Sequence, residues 1–470
     1  MNILLLHSDQ HRYDCVGVNG HPLVHTPNLD RLAAQGVNFS HAFTPCPICT
    51  PARASLLHGT WSFQHQAISI DATEAPRGPA DGLPAFTRLL REAGWYLGYV
   101  GKWHLGPGTQ PTDATYGFDD YVPEHAYERW RAERGIARAL DAPDPGSDGW
   151  STDAVLRFFA GKTDTHVGPE QARVAWTADR AIDLLARAAD LGRPFFIRWD
   201  PSEPHLPNLP PEPHASMYPP ESIEPWPSWG DMLADKPAIQ AQQRRTWGVD
   251  GWTWRDWAPV VSRYLGEITL MDAQVGRILG ALDDLHLADD TMVVYTTDHG
   301  DLCGGHGMMD KHYVMYDDVV RVPLIVRWPG RAAPGIVSDA FVTHGIDLAA
   351  TFCEAAGVPI PDTFAGLSLV PLLEGEVSNG RSDMLSAYHG CQFGLYSQRM
   401  VRDRRFKYIW NATAEDELYD LDADRGELTN LARHRDHRDE AERLRTRLAD
   451  WLRQERDPLY AWAGRVQLPD

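Results

Sequence analysis

The 470-residue sequence lacks the segments that would place it in a membrane or in a secretory pathway. No apolar run approaches the roughly 18–20 residues that a membrane-spanning helix needs. The chain opens with Met1-Asn2 and runs directly into the apolar stretch 3–6, without the basic leader and small-residue cleavage site of a secretory signal. Cysteine is also scarce, with 6 residues, and this favours a reducing compartment over a disulfide-linked scaffold. We therefore expect a cytoplasmic protein with no membrane partner.

Positive charge is in short supply as well. The 44 Lys and Arg residues stand against 65 Asp and Glu residues, which gives a formal net charge of −21. Such an acidic chain is a poor candidate for binding nucleic acid or an anionic membrane surface. Any anion that it handles must therefore be held by a local cluster of cations. With 43% hydrophobic and 23% charged residues, the chain can bury a sizeable core, and extensive disorder is excluded.

Strand-like apolar runs alternate with helical periods through most of the chain. Ile3–Leu6, Phe195–Trp199 and Thr291–Thr297 are predicted strands, and apolar residues between Tyr264 and Leu282 recur with a helical period. This alternation predicts an α/β protein with a large, mostly parallel sheet and helices on both of its faces.

The pattern changes at two places along the chain. Residues 206–257 are rich in proline and then hold six tryptophans, and we interpret them as an ordered insertion that runs over the surface. From about residue 385, short strands of an antiparallel meander precede an amphipathic helix at Asp439–Glu455. We therefore predict an α/β catalytic domain of residues 1–384 and a smaller C-terminal α+β subdomain of residues 385–470 that contains an antiparallel sheet.

Polar side chains follow four of the predicted strands at the point where each strand ends. In open α/β sheets, ligands bind at the carboxyl ends of the strands. The residues in question are Asp9 and Gln10, Lys102 and His104, Asp200 and His205, and Asp298 and His299. One such group is ordinary loop composition, but four groups at the same edge of one sheet indicate a binding or catalytic site.

Two of these strand ends together supply a set of metal ligands. Asp9, Gln10, Asp298 and His299 offer two carboxylates, one amide oxygen and one imidazole. An oxygen-rich set with one nitrogen suits Ca²⁺, Mg²⁺ or Mn²⁺ better than a metal that prefers thiolates.

The segment around Cys49 is predicted to begin a helix. Pro51 suits the first turn of a helix, with Thr50 as its cap, so that Cys49 would lie at a helix N-terminus, where free N–H groups favour anions and lower the pKa of a thiol. Arg53, one turn further on, can fold back over the same site. Cys46 and Cys49 also form a Cys-x-x-Cys pair, but the βαβ context of a redox motif is missing, and a zinc site would need a second ligand pair.

Several motifs together resemble a known family. Residues 49–59 read Cys-x-Pro-x-Arg followed by Ala-Ser-Leu-Leu-x-Gly, which resembles the signature of type I sulfatases in the alkaline-phosphatase-like superfamily, with His58 at a position where the family usually has threonine. Residues 101–104, Gly-Lys-Trp-His, resemble the second signature of the family. Residues 298–300, Asp-His-Gly, and the later Lys311 resemble its distal metal-binding and sulfate-binding elements. The similar stretches extend from about residue 2 to about residue 455, which implies the alkaline-phosphatase-like fold.

The resemblance implies a modified cysteine and a bound metal. A formylglycine-generating maturation enzyme would convert Cys49 to Cα-formylglycine, whose hydrated aldehyde supplies the nucleophile that attacks sulfur or phosphorus. One divalent metal ion, Ca²⁺ or Mn²⁺, would offset the charge of the ester. Carried over position by position, the metal ligands are Asp9, Gln10, modified Cys49, Asp298 and His299. Arg53 would support the nucleophile, and the groups that hold the ester oxygens would be Lys102, His104, His205 and Lys311, with one of the two histidines transferring a proton.

The same residues do not decide which class of ester reacts. Many sulfatases have paired aspartates where this chain has Asp9-Gln10, and asparagine at the position of His299. The pattern found here resembles the branch that includes phosphonate monoester hydrolases, phosphodiesterases and choline sulfatases, and an imidazole ligand favours Mn²⁺ relative to Ca²⁺. We therefore expect a hydrolase of small anionic sulfate esters, with phosphonate monoesters or phosphodiesters as the alternative substrates.

The insertion 206–257 also allows a different class of function. It follows His205 directly, so we expect it to frame the mouth of the active site and to set substrate choice. Its six tryptophans would also fit a protein that binds sugars or aromatic ligands and no longer catalyses, although Cys49 and Lys102 are both retained. Packing of the insertion, or contact between copies of the chain in a homo-oligomer, is the simpler role for these indoles.

Overall fold

A computed structural model describes residues 1–68, 70, 79–80, 82–106, 108–138, 163–376, 381–390 and 395–463, so the end of the predicted C-terminal subdomain, 464–470, lies outside the described residues. The strands in these ranges form two sheets. The larger sheet contains β1 (Asn2–Ser8), β2 (Val37–Phe43), β3 (Tyr96–Gly101), β4 (Asp120–Pro123), β5 (Phe195–Asp200), β6 (Thr291–Thr297), β7 (Leu324–Arg327) and β8 (Ile336–Thr343). The smaller sheet contains β9 (Met384–Gly390), β10 (Tyr396–Arg402), β11 (Phe406–Asn411) and β12 (Glu417–Asp420).

Helices connect these strands and cover the sheets. The longer ones are Pro27–Ala34, Cys49–His58, Phe86–Glu92, Ala126–Glu133, Arg173–Leu191, Ala238–Thr246, Trp254–Asp284, His344–Ala355 and Arg438–Gln454. Single turns of helix are found at Ser62–His65, Asp317–Val320, Val370–Leu373 and Tyr460–Ala463. None of the helices in the described ranges combines the length and the apolar character that a bilayer crossing requires.

The larger sheet has the order β4-β3-β5-β1-β6-β7-β2-β8. All of its strand pairs are parallel except the two that involve β7, which runs antiparallel to β6 and to β2. The connection from β6 to β7 contains no long helix to carry the chain back along the sheet, so the chain returns in the opposite direction. The predicted α/β class, with a large, mostly parallel sheet between helices, is confirmed.

Apolar layers on both faces hold the central strand β1 in place. Successive side chains of a strand point to opposite faces. Ile3 and Leu5 accordingly belong to one buried cluster, and Leu4 and Leu6 belong to the cluster on the other face. Because β1 is packed from both sides, the position of the residue that follows it, Asp9, is fixed by the core.

The smaller sheet is antiparallel throughout, in the order β12-β11-β10-β9. The helix Arg438–Gln454 packs on it, with Leu444 and Leu448 in the same buried cluster as Leu385 and Tyr408. The predicted antiparallel sheet and its amphipathic helix are confirmed, while the domain boundary at residues 384 and 385 stays a prediction.

The tryptophans of the insertion 206–257 are packed into the protein. Trp226, Trp252 and Trp257 are buried, and the rings of Trp252 and Trp257 meet edge to face with centroids 4.8 Å apart. The helix Trp254–Asp284 begins inside the insertion and shares one apolar cluster with these indoles. The expectation of a stretch that runs over the surface is therefore corrected: both halves of the insertion contribute to a buried cluster, Trp226 from the first half and Trp252 and Trp257 from the second.

Candidate active site

The carboxyl ends of four neighbouring strands meet at one edge of the larger sheet, as the sequence predicted. These strands are β3, β5, β1 and β6. Asp9 follows β1 and Lys102 follows β3. Asp200 ends β5, and Asp298 follows β6. The predicted site residues from distant parts of the sequence are therefore neighbours in space.

The helix Cys49–His58 brings the cysteine to this edge. The helix begins at Cys49 itself, after an extended Ile48 with φ −144° and ψ 139°, so the expected cap at Thr50 is wrong and Pro51 is the third helical residue. All ten residues of the helix are buried. It ends at Gly59, where φ is 60° and a Cβ atom would lie 2.5 Å from the ring of Phe364, so only glycine fits there. The thiol is thus held on a rigid element.

Four buried side chains converge on one point. One donor atom from each of Asp9, Cys49, Asp298 and His299 lies within 4.8 Å of the others, and within the described ranges this is the one group of His, Cys, Asp and Glu side chains with such an arrangement. The Cys49 Sγ lies 3.2 Å from His299 Nε2 and 3.8 Å from Asp9 Oδ1. His299 Nδ1 lies 2.8 Å from the Gly300 carbonyl oxygen. With Nδ1–H donating to that carbonyl, Nε2 is the ring nitrogen that faces the cluster.

Arg53 connects three of the strand ends through one guanidinium group. Its Nε donates to Asp298 at 3.0 Å, its Nη2 to Asp9 at 2.9 Å and its Nη1 to Asp200 at 2.8 Å. Nη1 also donates to the Lys102 carbonyl oxygen at 2.8 Å. A planar fork with five donors is suited to several acceptors at once. Arg53 is therefore the counter-ion of the carboxylates around Cys49 rather than a group on the surface of the site.

Lys102 reaches the same cluster from β3. Its Nζ lies 2.7 Å from Asp9 Oδ2, and its backbone N–H donates to the Asp200 carbonyl at 2.9 Å. The close approach of β3 and β5 explains the preceding glycine, because a Cβ atom on Gly101, which has φ 119°, would lie 1.9 Å from the Asp200 carbonyl oxygen. The Lys102 side chain keeps 18% of its surface exposed, so it can meet a bound molecule.

Lys311 and His205 form a second group of donors. Lys311 Nζ lies 3.0 Å from His205 Nε2 and 3.1 Å from Asp310 Oδ1, and it donates to Gln10 Oε1 at 2.7 Å. Gln10 Nε2 in turn donates to Asp301 at 2.8 Å. The Gln10 amide, predicted as a metal ligand, is thus oriented between Lys311 and Asp301.

The cations around Cys49 lower the pKa of its thiol. Burial alone would raise it, but Lys311, Lys102 and His299 outweigh the burial, and a hydrogen bond from His104 adds to their effect, so the pKa lies well below its usual range. Burial would lower the pKa of His299, yet Asp298 and Cys49 raise it to about 9. The sequence predicted an acidic thiol from the helix N-terminus, and the structure shows that neighbouring cations cause the shift.

Cys46 has the opposite environment. Burial raises the pKa of its thiol to about 12, and Cys46 lies in an apolar cluster with Ile48 and Tyr313. Both cysteines are free thiols. The two members of the Cys-x-x-Cys pair therefore differ in reactivity, and only Cys49 belongs to the charged site.

The structure adds residues to which the sequence assigned no role. Asp200 accepts from Tyr99 Oη at 2.5 Å and forms an ion pair with Arg198 at 2.7 Å, so it is held by three donors when Arg53 is included. An arginine inside the otherwise apolar run of β5 was the available signal for Arg198. Tyr99 gave no signal, because a tyrosine is an ordinary residue in a strand.

Known proteins are similar to this chain over nearly its whole length. The family model described as Sulfatase matches residues 1–358, and the model for the C-terminal part of N-sulphoglucosamine sulphohydrolase matches residues 304–454. An arylsulfatase of Clostridium perfringens is 29% identical over 473 residues, which cover 94% of this chain and 92% of that protein. A choline-sulfatase of Rhizobium meliloti is 27% identical, with 92% of this chain and 82% of that protein covered. The structure of a phosphonate monoester hydrolase of Agrobacterium radiobacter superposes with a TM-score of 0.83 at 25% identity, over 97% of this chain and 96% of that chain.

Proposed function

Because the chain belongs to the sulfatase family, we propose that it is a metal-dependent hydrolase that cleaves sulfate esters with a nucleophile derived from Cys49. The observation that carries this proposal is the position of the Cys49 Sγ. It lies in reach of Asp9 and His299 at the carboxyl edge of the sheet, with Lys102 and Lys311 among the cations that act on it.

The donor set supports a divalent metal ion. Asp9, Cys49, Asp298 and His299 are all buried, their donor atoms lie within 4.8 Å of one another, and the imidazole is oriented with its Nε2 toward the cluster. Carboxylates with one imidazole suit Ca²⁺ or Mn²⁺. A metal at this point would offset the charge of an anionic ester, and formylglycine formed from Cys49 would supply an oxygen nucleophile. We propose Gln10 as a further ligand through its Oε1.

The remaining side chains are proposed to act on the ester. The ammonium groups of Lys102 and Lys311 lie where they can donate to the oxygens of a bound ester, on which charge grows in the transition state. His104 contacts Cys49 and is therefore suited to remove a proton from the nucleophile. His205 lines an adjoining cavity and is therefore suited to protonate the leaving group.

A second substrate class uses the same site. The Asp9-Gln10 and Asp298-His299 pattern and the similarity to a phosphonate monoester hydrolase both favour phosphonate monoesters or phosphodiesters as the alternative. Sulfate esters and these phosphorus esters can each present a single negative charge. The choice between them therefore depends on relative rates, and both classes belong in one assay.

The test is a substrate panel on enzyme produced together with a formylglycine-generating enzyme. An aryl sulfate, a phosphodiester and a phosphonate monoester are compared by kcat/KM, and we expect the sulfate to be preferred. Cys49→Ala should abolish turnover of the whole panel, whereas Cys46→Ala, a buried thiol three residues earlier, should retain it. Peptide mass spectrometry should find the modification at Cys49, because Pro51 and Arg53 stand at the required offsets from Cys49 alone. Full activity with an unmodified Cys49 would refute the mechanism.

The proposal extends to the cellular compartment of the enzyme, its protein partner and its oligomeric state. The described cysteines are all free thiols, which supports a reducing compartment such as the cytoplasm. The maturation enzyme is the proposed protein partner, since conversion of the Cys49 thiol to an aldehyde is an oxidation that requires an external oxidant. Association into a homo-oligomer stays a prediction, to be checked by light scattering.

A further inference from the structure

A cavity of about 450 Å³ adjoins the active site and is lined in part by His205. One wall is apolar and comes from the proline-rich beginning of the insertion, and the other carries charged side chains from three other parts of the chain. The apolar wall includes Leu206, Leu209 and Pro210, and the charged side chains include Arg173, Glu203 and Glu267. A space of this size with an apolar wall and a few polar groups is typical of a site for a small organic ligand.

The cavity and the site around Cys49 share one short segment. Residues 200–205 comprise the last residue of β5, Asp200, and the five residues after it. Asp200 accepts from Arg53 at 2.8 Å, and the Glu203 carbonyl accepts from the Asp9 amide at 3.2 Å. In the same segment, the side chains of Glu203 and His205 line the cavity. An ester held at the strand ends would therefore direct its organic part toward this space.

Glu203 has unused capacity to accept a hydrogen bond. Its side chain is 4% exposed, and its Oε1 accepts from Arg173 Nε at 2.9 Å. Its Oε2 is buried, and among the described residues it has no hydrogen-bond partner. Leaving a buried acceptor without a donor is costly, so nearly all such atoms in folded proteins are paired. A donor on a bound ligand would supply the missing partner.

The other charges of the cavity favour the same kind of ligand. Glu267, also buried, accepts from Asn208 Nδ2 at 2.5 Å. Burial and the nearby Glu203 raise its pKa to about 8. Arg173 is balanced by Glu203 and by Glu124 at 3.3 Å. Arg131 and Arg138, which also line the cavity, are paired with Asp164 and Glu128. Among the described residues the cavity therefore presents no unpaired cation to hold an anion. Because Glu267 retains its proton near neutral pH, Glu203 Oε2 is the acceptor left for a group that donates a hydrogen bond.

We infer that this cavity is the subsite for the leaving group, and that it takes a hydroxyl-bearing or amine-bearing organic group that donates a hydrogen bond to Glu203 Oε2. The inference rests on the proposed function, since a leaving group exists only if the enzyme cleaves an ester. The apolar wall of Leu206, Leu209 and Pro210 would cover the carbon skeleton, and His205 would stand between this skeleton and the ester.

Pairs of aryl sulfates of nearly equal size test the subsite. The 2-, 3- and 4-(hydroxymethyl)phenyl sulfates are each compared with the corresponding ethylphenyl sulfate, which has a methyl group in place of the hydroxyl. We expect kcat/KM to favour the hydroxymethyl ester by about 10-fold or more in at least one pair, because a hydrogen bond to a buried charged acceptor is gained. Equal kcat/KM values in all three pairs would overturn the inference while leaving the proposed function intact. No turnover of any sulfate or phosphonate ester would refute the proposed function, and the subsite with it.

Variants of cavity residues test whether the preference for hydroxymethylphenyl sulfates arises in the cavity. Glu203→Gln should reduce it to about threefold or less, since a neutral acceptor binds a donor roughly half as strongly. Glu170→Gln, an exposed glutamate on the neighbouring turn, is the matched control and should keep the preference. If Glu203→Gln does not fold, Leu209→Trp decides, because it fills the space without removing an ion pair. It should raise KM for the substituted esters about 10-fold more than for phenyl sulfate. A preference that survives both changes places the leaving group elsewhere and overturns the inference.

Discussion

Replacement of Arg53 by methionine would remove the counter-ion that three buried carboxylates share. The guanidinium is 1% exposed and donates to Asp9, Asp200 and Asp298 at 2.8–3.0 Å, and all three carboxylates are fully buried. Methionine keeps an unbranched apolar stem that ends near the position of Nε, so the change removes the charge and all of the donors while it keeps most of the packing of the stem.

The magnitude follows from the partners that remain. Removal of one member of a buried ion pair costs about 3–5 kcal/mol. Asp9 keeps Lys102 at 2.7 Å and Asp200 keeps Arg198 at 2.7 Å, so we expect one loss of this size rather than one for each carboxylate. An unfolding entropy of about 2.1 cal/mol/K per residue amounts to about 1 kcal/mol/K for 470 residues, so Tm should fall by about 3–5 °C.

The assay is thermal unfolding in chelator at pH 8 and pH 5. Burial and Cys49 raise the pKa of Asp9, but Lys102 and Arg53 outweigh them and hold it well below its usual range. This low pKa contributes stability that is present above the unfolded-state value near 4 and is lost as pH falls through the folded-state value. Without Arg53 the carboxylate takes up a proton more easily. The deficit of Arg53→Met should therefore be largest at pH 8 and smaller at pH 5.

The matched control is Arg399→Met in β10 of the smaller sheet. Arg399 is fully buried and forms an ion pair with Asp457 at 2.5 Å. Arg399→Met should lower Tm by an amount similar to that of Arg53→Met. Assayed below its Tm, Arg399→Met should keep its turnover, whereas Arg53→Met should lose turnover in addition to stability. A Tm of Arg53→Met within 1 °C of wild type at pH 8 would refute the role of the guanidinium as shared counter-ion.

Three further predictions concern the site and its surroundings. Lys102→Ala and Lys311→Ala should each lower kcat by about 10²–10³, because their ammonium groups meet charge that grows in the transition state, and each should also lower Tm, because Lys102 is paired with Asp9 and Lys311 with Asp310; wild-type rates would contradict the proposed roles. The contribution of Glu267 to stability should fall as pH rises from about 4.5 toward 8, because Glu267 ionises in the unfolded chain but, with a folded-state pKa of about 8, keeps its proton in the folded chain; Glu267→Gln should therefore make the slope of Tm against pH more positive than in wild type, and an unchanged slope would contradict this. Chelation should abolish turnover and lower Tm, one equivalent of Ca²⁺ or Mn²⁺ per chain should restore both, and a requirement for two equivalents would contradict a single metal site.

The position of the site was predictable because the strands of a parallel sheet share a carboxyl edge. Asp9, Lys102 and Asp298 each follow a strongly apolar run, and their sequence separation disappears once the strands are adjacent. The local motif from Cys49 to Arg53 was equally informative, because one helical turn places both residues on the same side. Both signals are short-range patterns joined by a general rule of α/β sheets.

The hydrogen-bond network around these residues was not predictable in the same way. Nothing in the sequence near Tyr99 or Asp310 indicates that their side chains orient Asp200 and Lys311. Such contacts join positions about 100 residues apart or lie within loops, and no periodicity encodes them. The antiparallel direction of β7 is not predictable for a related reason, since an apolar run predicts a strand but not the direction in which it joins the sheet.

The start of the helix Trp254–Asp284 shows tertiary packing overriding a local signal. The apolar period indicated Tyr264 as the first residue, but the helix begins at Trp254 and contains Pro259. In the structure, Asp256 accepts from the Thr253 backbone N–H at 2.8 Å and caps the helix, and Trp257 is completely buried. Burial of a tryptophan and a satisfied cap offset the single hydrogen bond that Pro259 cannot make.

Substrate choice and catalysis depend on one segment of the chain. Within residues 200–205, Asp200 bonds to Arg53 and the Glu203 carbonyl holds the Asp9 amide, while the side chains of Glu203 and His205 line the cavity. Sulfate and phosphonate esters present the same single charge to the cations at the strand ends, so those cations alone discriminate weakly between them. The cavity, in contrast, meets only the organic part of the substrate, where esters differ most. A leaving group that displaces this segment would also displace the carboxylates around Cys49, so a poor fit in the cavity should lower kcat as well as raise KM.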